Sequence, residues 1–316
     1  MSALSALHRW WSRFAGDTKD QHAAVAPAAR PEPRLHQVLC ADPHGLHRMA
    51  YAEWGDPANP RVVVCVHGLT RNGRDFDELA RVLATDYRVI CPDVVGRGRS
   101  EWLNDPADYG FPAYIADMVT LVARLNVESV DWVGTSMGGL IGMLLAAQPK
   151  SPIRRLVLND VGPVITAESL QRIGQYVGNA PRFPSFVDAV TYVRTVSAPF
   201  GPLSDAQWQA LTEHCVRQGD DGQWAMVYDP GIGAPFRNAF VYADVDLWGF
   251  YEALRIPVLA IRGAESDLLT PDVHRAMGAR GPRAQLAEIP GVGHAPMFTD
   301  AGQIRLITEF LRQESQ

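Results

Sequence analysis

The sequence predicts an alpha/beta fold in which a doubly wound, mostly parallel sheet begins with an antiparallel hairpin and is interrupted by a mostly helical insertion. Three observations support this fold class. From residue 34 onward, short apolar runs alternate with helix-like segments, as in a sheet with helices on both faces. The letters DPHG, typical of a tight turn, join the first two runs. Residues 161–255 separate the sixth run from the seventh, far more chain than one crossover needs.

The apolar runs are predicted as eight strands. The first two, 35–41 and 48–55, form the hairpin. The later runs lack strict apolar and polar alternation, which is typical of strands buried on both faces. These later strands are predicted at 61–68, 87–93, 129–135, 153–160, 256–263 and 284–291. Helices are predicted between and after them at 74–84, 111–125, 136–148 and 300–312.

Two segments make up the predicted core, 34–160 and 256–316, and the insertion 161–255 is predicted to be a mostly helical cap. We expect the cap to cover the carboxyl ends of the strands, where open alpha/beta sheets bind ligands. Aromatic residues are frequent in the cap, and most of them are expected to pack it onto the sheet. They are Tyr176, Phe183, Phe186, Tyr192, Phe200, Trp208, Trp224, Tyr228, Phe236, Phe240 and Trp248.

The segment 1–33 is predicted to lie outside the core. Leu4, Leu7, Trp11 and Phe14 recur at helical spacing, and a linker rich in alanine and proline follows them. Two interpretations remain open: a disordered extension, or a short amphipathic segment that makes weak contact with a membrane or another hydrophobic surface.

Composition excludes several partners. The 316 residues include 29 Lys and Arg against 35 Asp and Glu, a formal net charge of −6, so the basic field that nucleic acid requires is missing. None of the four cysteines shows CxxC spacing, which favours small core residues in a reducing compartment. The sequence also lacks an apolar run of membrane-spanning length and a signal peptide pattern. These features predict a cytoplasmic protein.

The letters VGTSMGGL, residues 133–140, predict a nucleophilic serine. A Gly-x-Ser-x-Gly string alone arises readily by chance, but Ser136 stands where a strand turns into a helix of small residues. Such a turn strains the serine backbone and exposes its hydroxyl, and the helix N-terminus behind it favours a developing oxyanion. Ser136 is therefore the predicted nucleophile.

A serine hydroxyl needs a base, and histidine has the appropriate pKa at neutral pH. Of the nine histidines, His294 alone follows the last predicted strand in a loop of small residues, GVGHAP, at the same edge of the sheet as Ser136. The histidine in turn needs a carboxylate. Asp267, just after the strand 256–263, is the predicted acid; Asp160, at the end of 153–160, is the alternative, and Glu265 is a third choice.

Two backbone amides should form the oxyanion hole. Met137 follows the serine directly, and Leu69 lies in the loop HGLTRNGRDFD after the third strand. In that loop His67 is predicted to shape the turn rather than act as a second base. Arg71 and Arg74 either bind a substrate carboxylate or pair with Asp75 and Asp77.

Five motifs, HGLTRNGRDFD, DVVGRGRS, VGTSMGGL, RGAESD and GVGHAP, resemble those of the alpha/beta-hydrolase superfamily in order and spacing. The resemblance covers residues 34–313 and implies an eight-stranded sheet, a cap and no cofactor or metal. It also implies the triad Ser136, Asp267 and His294. The HGLTRN loop and the letters LNDVGP are similar to those of small capped bacterial esterases, some of which act on short hydroxyalkanoate esters and oligomers. In haloalkane dehalogenases and epoxide hydrolases an aspartate replaces the serine, which argues against both.

The predicted activity is hydrolysis of a small-molecule carboxylic ester, with a small to medium acyl group, through an acyl-enzyme on Ser136. Short 3-hydroxyalkanoate oligomers fit this class. Three alternatives remain: a carbon–carbon bond hydrolase in which Arg71 binds a substrate carboxylate, an acyltransferase or perhydrolase with the same triad, and a ligand-binding protein without turnover. Arg71 and Asp160 are candidate substrate-binding residues.

Overall fold

The computed structural model describes residues 31–238 and 243–313. The predicted N-terminal extension, up to residue 30, and Phe240 lie outside the described residues. Among those that are described, none of the helices combines the length and the apolar character that a bilayer span requires.

An eight-stranded sheet forms the centre of the fold, as predicted. Its strands are β1 (Arg34–Asp42), β2 (Gly45–Trp54), β3 (Val62–Val66), β4 (Arg88–Pro92), β5 (Val130–Thr135), β6 (Ile153–Asn159), β7 (Val258–Gly263) and β8 (Gln285–Ile289). Their spatial order is β1-β2-β4-β3-β5-β6-β7-β8. β2 pairs antiparallel with both β1 and β4, and all other neighbours are parallel. The carboxyl ends of β3 to β8 therefore lie along one edge of the sheet.

Both faces of the sheet are covered, which explains the continuous apolar strand runs. Every residue of β3 is buried, but Val64 packs into one hydrophobic cluster and Cys65 into the other. Helices α2 (Phe111–Leu125), α3 (Met137–Ala146) and α4 (Pro271–Ala279) contribute to the first cluster. Helices α1 (Asp77–Leu83) and α5 (Ala301–Arg312) contribute to the second. The doubly wound arrangement is confirmed.

The insertion between β6 and β7 holds helices and also short strands. Its described helices are Ala167–Tyr176, Phe186–Val196, Asp205–Glu213, Ala234–Asn238 and Trp248–Ala253. Three short strands, Arg182–Phe183, Val216–Gln218 and Trp224–Met226, form a small antiparallel sheet. This sheet was not predicted, because runs of two or three residues cannot display a period.

The insertion contacts the loops that follow β3 and β4. The Asn72 side-chain amide donates to the carbonyl of His214 at 2.8 Å, and the Gly98 amide donates to the carbonyl of Val227 at 2.7 Å. The described residues from Pro33 onward form one compact unit. The insertion thus contacts the edge of the sheet that carries the predicted catalytic side chains.

Candidate active site

Ser136 occupies a strained turn between β5 and α3. Its φ of 52° and ψ of −117° lie in a region that residues other than glycine rarely adopt, and such strain is maintained only when the surrounding structure requires it. The Ser136 carbonyl accepts from the amides of Gly139 and Leu140 at 2.9 and 3.1 Å. The serine side chain is therefore presented at the carboxyl edge of the sheet, as predicted for a nucleophile.

Glycines on either side of the serine permit this turn. A Cβ atom on Gly134 would lie 2.3 Å from the carbonyl oxygen of Gly138, and one on Gly138 would lie 2.0 Å from the carbonyl oxygen of Val66. Both distances are far below van der Waals contact. The glycine spacing in the motif is thus required by the close approach of α3 to β5 and β3.

His294 lies beside Ser136, as the sequence predicts. It belongs to the loop between β8 and α5, and its Nε2 is 3.0 Å from the Ser136 Oγ. The imidazole is about one quarter exposed, at 24%, so solvent can reach the pair. This geometry suits removal of the hydroxyl proton by the imidazole.

The carboxylate beside His294 belongs to Asp160. Its Oδ2 is 2.7 Å from His294 Nδ1 and also accepts from the Ser266 hydroxyl at 2.6 Å. Its Oδ1 accepts from the Gly263 amide at 2.8 Å, and the side chain is completely buried. A buried carboxylate held by several donors stabilises a neighbouring imidazolium and selects its tautomer.

The structure does not place Asp267, the predicted acid of the triad, beside His294. The Asp267 side chain is 59% exposed and forms an ion pair with Arg172 of the insertion. The turn after β7 does approach the site, but it contributes Ser266, while Glu265 is exposed. Because β6 and β7 are neighbours in the sheet, their carboxyl ends lie close together. Asp160 directly follows β6 and lies nearer to β5 and Ser136 in the sheet order.

The two predicted oxyanion donors flank the serine. Met137 is the first residue of α3, and the first amides of a helix have no partner within it. On the other side, a Cβ atom built on Gly68 would lie 3.7 Å from the Ser136 Cβ, which places the loop carrying Leu69 against the nucleophile. In the described part of the chain, neither the Leu69 nor the Met137 amide has a hydrogen-bond acceptor.

The His67 side chain lies within the loop after β3, where the sequence predicts that it shapes the turn. Its ring is buried, with Nδ1 2.7 Å from the Gly68 carbonyl, and Nε2 accepts from the Val94 amide at 2.9 Å. Burial lowers its pKa from 6.5 to about 3, with smaller contributions from Arg97 and Arg71. His67 is therefore neutral at pH 7 and links the loop after β3 to the loop after β4.

Arg71 is committed to an internal ion pair. Its Nε and Nη2 donate to the two carboxylate oxygens of Asp75 at 2.8 and 2.6 Å, and its guanidinium lies 5.6 Å from the centre of the Phe200 ring. Arg71 therefore pairs with Asp75, which is one of the two predicted alternatives. A substrate carboxylate would have to compete with a bidentate partner.

Asp160, the alternative acid and a predicted substrate-binding residue, thus contacts His294 and is completely buried. Ser266 and Arg97 are neighbours of the site that sequence reasoning missed. Ser266 lies in RGAESD, one residue before Asp267, and Arg97 lies in DVVGRGRS. DVVGRGRS is one of the five motifs that resemble the family, and the structure places it in the loop after β4. No pattern in the letters indicates that the Arg97 side chain is completely buried.

Two groups of side chains in the described residues have the composition of metal sites. They are Cys40 with His47 and Asp117, and Asp42 with His44 and Asp108. Both lie on the N-terminal hairpin and its neighbours, and neither includes a triad residue. The His47 imidazole is already 3.0 Å from carboxylate oxygens on both sides, Asp42 and Asp117, so hydrogen bonds account for both of its nitrogens.

Comparison with known proteins identifies the family of the chain. Residues 61–301 match the family model described as alpha/beta hydrolase fold. The chain is 54% identical over 285 residues to the 3-hydroxybutyrate-oligomer hydrolase of Cupriavidus necator, covering 88% of this chain and 97% of that one.

Solved structures agree with the fold. An alpha/beta hydrolase from Novosphingobium aromaticivorans superposes with a TM-score of 0.78 at 36% identity, over 89% of this chain and 99% of that one. A protein from Rickettsia typhi superposes with a TM-score of 0.83 at 33% identity, over 89% of this chain and all of that one.

Proposed function

Because the chain belongs to the alpha/beta-hydrolase family, we propose that it cleaves esters of short 3-hydroxyalkanoate oligomers through an acyl-enzyme on Ser136. One observation carries the proposal: a continuous hydrogen-bonded series from the Ser136 Oγ to His294 Nε2 at 3.0 Å, and from His294 Nδ1 to Asp160 at 2.7 Å. Hydrolysis of ester bonds follows from the family and from the 54% identical relative. The substrate and the residue roles are the proposed parts.

In the first half of the reaction, His294 removes the proton from the Ser136 hydroxyl as its oxygen attacks the ester carbonyl. The amides of Leu69 and Met137 donate to the oxygen that becomes negative. His294 then transfers the proton to the departing alcohol, and the acyl group stays on Ser136. Asp160 does not take the proton; it stabilises the imidazolium between the two transfers.

In the second half, water replaces the alcohol. His294 removes a proton from the water as it attacks the acyl-enzyme, and then returns this proton to Ser136 as the acid product leaves. The same two amides hold the second oxyanion. For a 3-hydroxybutyrate dimer, both products are 3-hydroxybutyrate.

The relative from Cupriavidus necator, a 3-hydroxybutyrate-oligomer hydrolase by name, supports the substrate class. Arg71 was the suspected carboxylate ligand of a carbon–carbon bond hydrolase, and its pairing with Asp75 disfavours that alternative. Transfer of the acyl group to an acceptor other than water requires no further residue, so product analysis must separate it from hydrolysis.

The test is a substrate panel of acetyl to long-chain p-nitrophenyl esters, 3-hydroxybutyrate dimer and trimer, lactones and a vinylogous diketone. We expect the dimer and trimer to be cleaved to the monomer, and Ser136→Ala to lower kcat by about 10⁴-fold or more, as in other triads. Ser151→Ala is the matched control, because Ser151 precedes β6 at the opposite edge of the sheet. Wild-type turnover by Ser136→Ala would contradict the nucleophile assignment.

Other products would support one of the alternative activities. Cleavage of the diketone without cleavage of esters would support the carbon–carbon bond hydrolase. Formation of new esters with an added alcohol, or of peracid with peroxide, in preference to hydrolysis would support a transferase or perhydrolase. Binding of oligomers without turnover would leave a ligand-binding protein.

We propose a cytoplasmic location, and the burial of all four cysteines as free thiols supports it. The proposed partner is a small-molecule ester. Contact of the segment 1–33 with a hydrophobic surface remains a prediction about residues that lie almost entirely outside those described.

A further inference from the structure

Arg97 is a completely buried arginine next to the proposed oxyanion hole. It belongs to the loop after β4, which Asp93 holds in place by accepting from the amides of Gly73 and Arg99 at 2.7 and 2.8 Å. The Arg97 guanidinium lies 5.7 and 5.0 Å from the ring centres of Tyr109 and Tyr114. The guanidinium is therefore held between aromatic side chains.

The Arg97 side chain contacts both residues that supply the oxyanion amides. Its Nε donates to the carbonyl of Leu69 at 2.8 Å, and its Nη2 lies 3.8 Å from the sulfur of Met137. Its Nη1 donates to the Val95 carbonyl at 2.7 Å and to the Tyr114 hydroxyl at 3.1 Å. One side chain thus joins the loop after β3, the loop after β4 and the start of α3.

The positive charge of Arg97 has no direct counterion among the described residues, since no carboxylate oxygen there lies within 4.0 Å of its guanidinium. The nearby carboxylate of Asp229 accepts from the Tyr109 hydroxyl at 2.6 Å and from the Gly231 amide at 2.7 Å instead. Burial of a charge without an ionic partner is unfavourable. A negative charge that appears on the substrate beside Leu69 and Met137 would compensate part of this cost.

We propose that Arg97 is a positioning residue of the oxyanion hole. Its hydrogen bond to the Leu69 carbonyl restricts the backbone torsions of Leu69, whose own amide lies in the preceding peptide unit, and its charge stabilises the oxyanion from behind the two donors. This inference rests on the proposed function, because it requires an oxyanion to form between Leu69 and Met137. It assigns a role to the Arg97 side chain, which the triad mechanism does not use.

If Arg97 has this role, it stabilises the transition state more than the bound substrate. Removal of a direct oxyanion donor lowers kcat by about 10²–10³-fold. Arg97 acts through Leu69 and through its charge, so we expect Arg97→Met to lower kcat by about 10–100-fold with KM changed less than about threefold. Arg97→Lys keeps the charge but not the planar group, and should recover a substantial part of the loss.

The experiment compares wild type, Arg97→Met, Arg97→Lys and Arg99→Met. Arg99 is the matched control, since it is an arginine of the same loop with an exposed side chain. Each protein is assayed for kcat and KM on p-nitrophenyl butyrate, for melting temperature, and for the rate of Ser136 labelling by a fluorophosphonate. The labelling reaction matters because its product also places an oxygen in the oxyanion hole.

We expect labelling and kcat to fall together in Arg97→Met, to recover partly in Arg97→Lys and to stay unchanged in Arg99→Met. A merely structural role predicts lower melting temperatures for both Arg97 variants with kcat near the wild-type value, and this result would overturn the proposal. So would equal activity of the Lys and Met variants. If Arg97→Met does not fold, the test rests on Arg97→Lys. Wild-type labelling and a wild-type kcat in Arg97→Lys would refute the need for a planar donor to the Leu69 carbonyl.

The two proposals can fail separately. If the wild-type protein is not labelled at Ser136, the proposed function itself is wrong. If wild type is labelled and Arg97→Met is labelled at the same rate, only the role of Arg97 is wrong.

Discussion

Replacement of Asp160 and, separately, of Asp267 by asparagine tests which carboxylate acts on His294. In Asp160→Asn, a nitrogen replaces one of two carboxylate oxygens that accept from Gly263, Ser266 and His294 at 2.6 to 2.8 Å. An amide carries no charge to stabilise the imidazolium and favours the wrong tautomer, and the corresponding change in a serine protease lowers kcat by about 10⁴-fold. We expect a loss of similar size here.

The same change at Asp267 should be nearly silent. Its side chain is 59% exposed and pairs with Arg172 at the surface, and exposed ion pairs contribute about 0–1 kcal/mol to the free energy of unfolding. Asp267→Asn should therefore keep kcat within about twofold, since an exposed carboxylate without contact to His294 has little effect on the transition state.

The assay is the hydrolysis of p-nitrophenyl butyrate by purified variants, with thermal unfolding recorded on the same samples. Asp160→Asn should remain folded, although one mispaired buried group lowers its stability by about 1–3 kcal/mol. The reasoning is refuted if Asp267→Asn removes activity while a folded Asp160→Asn retains it.

Three further predictions concern the surroundings of the triad. Ser266→Ala removes one donor to Asp160 at 2.6 Å, worth about 1–2 kcal/mol, so kcat should fall about 5–30-fold; an unchanged kcat would show that Gly263 alone holds the carboxylate. Gly138→Ala would place a Cβ 2.0 Å from the carbonyl of Val66, so the yield of folded protein and its melting temperature should fall sharply; a wild-type melting curve would disprove the close packing. Burial lowers the pKa of His67 from 6.5 to about 3. The contribution of the neutral imidazole to the free energy of unfolding is therefore complete above pH 6.5 and is lost as the pH falls toward 3. Between pH 7.5 and 4.5 this loss amounts to about 3 kcal/mol, and urea unfolding of His67→Gln should show a correspondingly weaker pH dependence; equal slopes in both proteins would contradict it.

Local signals in the sequence predicted most of the candidate site. Ser136 and His294 were predictable because strand, turn and helix patterns place each of them at the carboxyl edge of the sheet. The carboxylate beside His294 was not predictable to the same degree, since Asp160 and Asp267 both follow strands that are neighbours in the sheet, β6 and β7. The choice between them depends on which side chain turns inward, and that is decided by contacts with Gly263, which lies 103 positions along the chain from Asp160.

The features that sequence reasoning missed share one property: they depend on long-range packing. The small sheet of the insertion has strands too short to show a period, and its pairing joins Phe183 to Trp224 across the chain. Arg97 resembles a surface arginine in the sequence, yet the side chains of Tyr109 and Tyr114 and the carbonyl of Leu69 enclose it. Only the assembled fold brings these groups together.

Titration of the wild-type protein with a fluorophosphonate, followed by residual hydrolysis of 3-hydroxybutyrate trimer, tests the central claim most directly. We predict one label per chain, located on Ser136 by peptide mapping, and trimer hydrolysis lost in proportion to labelling. Full hydrolysis by completely labelled protein, or a label on another residue that accounts for the loss, would contradict the assignment of Ser136 as the nucleophile.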